Sequence, residues 1–141
     1  MAESLLACEV IETRPGHSIA CLRVRWKADA DGSCDLNLSS TTNASTLVAG
    51  QLTHLVTKPG GTAPTDLYDV TITDGLGRDI LNGLGLDQSG TVVKTTALMT
   101  TATVGSDKYG VNPSVCDSNL TLHITNNSIN AAIGDLWLYF R

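Results

Sequence analysis

Apolar and polar residues alternate with a period of two in several short runs, the spacing of a strand with one buried face. In the segment 18–27, Ala20, Leu22, Val24 and Trp26 fall on one face, and Cys21, Arg23, Arg25 and Lys27 on the other. The segment 67–74 sets Tyr68, Val70 and Ile72 against Asp69, Thr71 and Thr73. The segment 120–125 alternates in the same way. At 135–141, Leu136, Leu138 and Phe140 share one face, while Trp137, Tyr139 and Arg141 share the other. Apolar runs predict further strands at 5–13, 34–38 and 47–58, and a weaker one at 92–99. The segment 79–82 fits either a short strand or one helical turn. Turn residues separate these runs: Arg14-Pro15-Gly16, 28–32, a polar loop at 39–45, 59–64, Asp74-Gly75 and 126–134, with a long loop expected at 103–119. His54 shares a face with Leu52 and Val56, which predicts a hydrogen-bonded histidine at the core edge. His123 lies opposite Leu122 and Ile124 and is expected to face solvent or a partner.

About eight strands and no sustained helical period predict an all-β fold, a β-sandwich or jelly roll with little or no helix. The whole chain, 1–141, reads as one domain. Composition agrees. The 141 residues include 18 Thr, 11 Ser, 8 Asn and 13 Gly, but only 3 Glu and 4 Lys, so uncharged polar residues supply most of the hydrophilicity. A net charge of −5 disfavours a nucleic-acid partner, whose phosphates would repel this surface. No run approaches the length of a membrane span. Leu5-Leu6-Ala7-Cys8 spells a lipobox, but the basic leader that should precede it is missing, and Glu3 stands where a signal peptide carries a base. The expectation is therefore a cytoplasmically made chain with reduced thiols at Cys8, Cys21, Cys34 and Cys116.

Candidate chemistry changes this picture little. The segment 75–85 is glycine-rich, yet it lacks the G-x-G-x-x-G spacing, the following helix and the lysine of phosphate loops. Tight turns between strands explain its glycines. Asp29, Asp31 and Asp35 cluster near Gly32 without the spacing or closing Glu of a calcium loop, which predicts a hairpin turn with solvated acids. His17, His54 and His123 are too scattered for a metal site, and Asp87 replaces the first Gly of a nucleophile elbow around Ser89. Asp66, Asp69, Asp74, Asp79 and Asp87 supply carboxylates, but 4% aromatic residues are few for a sugar-binding cleft. No catalytic residue, cofactor or metal site is predicted. Trp137, Tyr139 and Arg141 are the candidate interface, being residue types enriched at binding hot spots.

One resemblance adds to this reading. The stretch 68–85, Y-D-V-T-I-T-D-G-L-G-R-D-I-L-N-G-L-G, followed by an alternating segment, a small-residue turn and the ending L-W-L-Y-F-R, resembles small virion structural proteins of tailed bacteriophages. It covers about half the chain, from Leu67 to Arg141. Size and β content bring it closest to jelly-roll capsid cement or decoration proteins, of the kind found on a short-tailed phage of Bordetella. The resemblance implies a non-enzymatic protein on the outer capsid surface, assembled in the bacterial cytoplasm. Its implied partners are the major capsid protein and itself, as a homo-oligomer with a dimer favoured over a trimer, and neither nucleic acid nor membrane. The alternatives are a receptor- or carbohydrate-binding module of a head or tail fibre, a head–tail connector component and a small phage-borne enzyme.

Overall fold

The computed structural model describes residues 2–14, 18–38, 50–115 and 119–141. Pro15, Gly16, His17, the polar loop at 39–45, the start of the run at 47–58 and Cys116 lie outside the described residues. Among the described residues the fold is all-β. Its strands are β1 (Ser4–Arg14), β2 (Ser18–Lys27), β3 (Cys34–Asn37), β4 (Gly50–Pro59), β5 (Asp69–Thr73), β6 (Lys94–Ala97), β7 (Thr100–Val104), β8 (Asp107–Val111), β9 (Ser114–Val115), β10 (Thr121–Thr125) and β11 (Ile133–Phe140).

The strands form two main sheets. The larger has the order β1-β2-β11-β4-β6, with β9 also paired to β4, and the smaller has the order β3-β10-β5. Their pairings are antiparallel. One core fills the space between them: Leu22, Val24, Trp26, Leu55, Leu136 and Leu138 come from the larger sheet, and Val70, Ile72, Leu122 and Ile124 from the smaller. The alternation at β2 from Leu22 onward, and at β5, β10 and β11, thus buries the faces expected of it.

Two devices shape these sheets. The first is a bulge in β4. Tyr139 pairs with His54 but Phe140 with Leu52, so Thr53 is the extra residue. It reverses the phase of the strand: Leu52 and Leu55 are both buried, and His54 is exposed. His54 therefore keeps its face with Val56 and loses it with Leu52, which corrects the expectation of a core-edge histidine. The second is the segment 74–88, which folds back along β5. Ile80 donates its N–H to Ile72, Val70 donates to Gly85, and Gln88 donates to Tyr68. A side chain at Gly85 would sit 2.1 Å from the Val70 carbonyl oxygen, so only glycine permits this approach. The glycine-rich run is thus a strap that satisfies the edge of β5. Its residues 79–82 form neither strand nor helix but a turn, in which the Asp79 carboxylate accepts from the N–H groups of Leu81 and Gly83.

The strap is pinned by Asp74, which accepts from the N–H groups of Arg78 and Leu76 and from the Arg78 guanidinium. The Arg78 N–H leads in holding this carboxyl below its ordinary value of 3.8, against partial desolvation and with help from the Arg78 side chain and the Leu76 N–H. A carboxyl depressed in the folded state contributes stability above its unfolded value and loses it as pH falls through the folded one. Asp74→Asn should therefore flatten the fall of stability below about pH 4 that the parent protein shows in acid denaturation. Identical slopes for the two proteins would contradict this role.

The 28–32 turn also differs from expectation. It links β2 of one sheet to β3 of the other, so it is a crossover and not a hairpin. Its acids serve the turn itself: Asp31 accepts from the Ser33 N–H and hydroxyl, and Asp29 from the Ala30 N–H.

Candidate partner-binding face

β11 lies between β2 and β4 in the larger sheet, so its outward side chains have neighbours on both flanks. Trp137 stands opposite Arg23 and Val56, Tyr139 opposite Cys21 and His54, and Asp135 opposite Arg25 and Lys58. The Arg23 guanidinium organises this face. Its Nε and Nη2 donate to Asp135 Oδ1 at 3.1 and 2.9 Å, and Glu9 lies 3.6 Å from Nη1. Its plane carbon stands 5.6 Å from the centre of the Trp137 ring. Asp135 is buried beneath two arginines, since Arg25 Nε is 3.9 Å from its second oxygen. An aromatic ring fixed by a stacked and paired arginine has little side-chain entropy left to lose on binding. Tyr139 and His54 extend the patch as exposed neighbours, and Val56 is half-buried.

Arg141 is placed differently. Its Nε donates to Gln51 Oε1 and its Nη2 to Asn112 Oδ1, each at 3.1 Å. The structure thus groups Trp137 and Tyr139 with Arg23, while the Arg141 guanidinium ties the end of β11 to β4 and to the segment after β8. Nothing in the alternation alone could name Arg23, because the pairing of β2 with β11 joins residues more than a hundred positions apart.

His123 belongs to a second polar cluster, on the outer face of the smaller sheet. Its Nδ1 meets Asp35 Oδ1 across β3, and its Nε2 lies 2.9 Å from Thr73 Oγ1 on β5. The order carboxylate–imidazole–hydroxyl is that of a nucleophilic relay. Here the three groups stand on the adjacent strands β3, β10 and β5 of the smaller sheet, and the Asp35 N–H donates to the Glu3 carboxylate. The arrangement stitches three strands together. Sequence reasoning found His123 but neither partner, since 88 and 50 residues separate it from them.

Cys8, Cys21 and Cys34 are buried thiols. Burial, and then the nearby Glu3 and Asp35 carboxylates, push Cys34 up to about 12, which makes it an unreactive core residue. Among the described residues, no three His, Cys, Asp or Glu side chains converge on a metal-sized site. The 29–35 acids fall under the same statement.

The chain matches no family model, no curated protein and no solved structure. The functional reading therefore rests on the face itself and on the resemblance of residues 67–141.

Proposed function

We propose that this chain is a virion structural protein without catalytic activity, which binds the outside of a phage capsid and stabilises it by bridging coat subunits. The observation that carries the reading is the outer face of the larger sheet, where Trp137 is held under Arg23 beside Tyr139 on a central strand. Aromatic residues and arginine on rigid backbone are the residue types and placement that dominate protein–protein hot spots. The strand Y-D-V-T-I-T-D and its glycine strap, which carry the phage resemblance, act as framework, and this also fits a scaffold that works through its surface. In this reading the major coat protein occupies the Trp137 face.

The experiment compares particles with and without the protein, from the phage or prophage that encodes it. Particles lacking it should release DNA at lower temperature or lower salt than complete ones. Equal robustness would overturn the cement role and favour a fibre or connector component.

A further inference from the structure

β7 and β8 form a hairpin that stands apart from both main sheets. Every residue from 101 to 111 is exposed, including Val104, Tyr109 and Val111. Among the described residues only β8 is exposed along its full length, and β7 is exposed from Thr101 onward. The expected loop at 103–119 is thus corrected: it contains β8 and β9, and its beginning is the end of β7. A lone two-stranded ribbon is marginal in water, and it becomes robust when further strands join it.

The two edges of this ribbon are chemically different. Val104 pairs with Asp107 across the two-residue loop Gly105-Ser106, which makes them a hydrogen-bonded pair. Alternation along the ladder then turns the N–H and C=O groups of Thr101 and Thr103 outward from β7, and those of Lys108 and Gly110 outward from β8. The β8 edge carries a lysine, which discourages strand addition. The β7 edge carries Thr-Thr-Ala-Thr-Val, and the whole segment 95–106 contains no charge and no proline.

We propose that β7 pairs edge to edge with β7 of a second copy of this chain, antiparallel about a two-fold axis through Ala102. Each Thr101 then exchanges two backbone hydrogen bonds with Thr103 of the other copy, four in all. The two Ala102 residues face each other on the axis, where their small side chains permit close approach. Thr101 and Thr103 lie opposite each other as cross-strand threonine pairs. A second copy is the occupant this edge fits on charge grounds. Each chain carries a net charge of −5, and two like chains meet most easily along a stretch that has none. The Lys108 edges end the resulting four-stranded sheet, so the assembly closes as a dimer. The pairing rests on the edge alone and not on the capsid reading. A dimer that binds no capsid, or a monomer that does, separates the two.

The test is sedimentation velocity of the purified full chain and two proline variants. Thr101→Pro removes one outward N–H from β7 without removing a bond from the hairpin, and Lys108→Pro does the same on the opposite edge. The parent and Lys108→Pro should sediment as dimers, and Thr101→Pro should dissociate at least tenfold more readily. Circular dichroism and melting temperature should stay close to parent values in both. Ala102→Cys should form a disulfide-linked dimer under mild oxidation, because residues at a non-hydrogen-bonded pair approach closely enough. A monomeric parent, a dimer that survives Thr101→Pro, or equal dissociation of both proline variants would overturn the proposal.

Discussion

Leu138→Ala is expected to lower the stability of the protein by about 2–5 kcal/mol. Leu138 sits on the central strand of the larger sheet, flanked by Leu22 on β2 and Leu55 on β4, and all three are fully buried. The smaller sheet packs over this row, so the vacated volume has backbone on one side and Leu122, Ile124 and Val70 in the same core. Close-packed interiors relax only in part around such a gap, which adds a cavity cost to the lost burial. Against a typical total of about 5–15 kcal/mol, this is a large fraction. The melting temperature should fall by about 10 °C in a domain of this size. Thermal and denaturant unfolding measure it, and a loss below about 1 kcal/mol would place Leu138 outside the core.

The second large effect is on binding. Trp137→Ala and Tyr139→Ala should each weaken attachment to capsids by about 2 kcal/mol, around thirtyfold, and leave the isolated fold almost unchanged. Trp137 is half-buried and Tyr139 is 39% exposed, in contrast to the fully buried leucines that alternate with them. For Trp137→Ala the isolated chain loses the stacking of Arg23 on the ring, about 0.5–1 kcal/mol. Arg23→Ala differs in kind. It leaves Asp135 buried without its two closest donors, so it should destabilise the fold as well as the face. Melting curves run beside retention on purified particles separate the cases. If Trp137→Ala and Tyr139→Ala unfold the chain as severely as Leu138→Ala, the face is core and the partner surface lies elsewhere.

These contrasts follow from what a sequence carries locally. In β2, β5, β10 and β11 one face meets the core and the other meets solvent, and the period of two writes that difference directly into the residues. β7 and β8 bury neither face, so nothing distinguishes their two sides, and Gly105, Gly110 and Pro113 made the region read as a loop. The bulge at Thr53 was hidden for another reason. It inserts one residue into an apolar run in which either phase looks acceptable, and only the pairing with Phe140 shows which residues face inward. The partners of Trp137 and His123 lie on strands brought alongside by topology, and alternation carries no information about which strand stands beside which. Gly85 is legible as a turn residue, but its approach to Val70 is visible only in three dimensions.

The most direct measurement is the number of copies of this protein per major coat protein in purified particles, by quantitative mass spectrometry. The cement reading predicts hundreds of copies in a simple ratio to the coat protein. A dozen copies or fewer, or none, would contradict it.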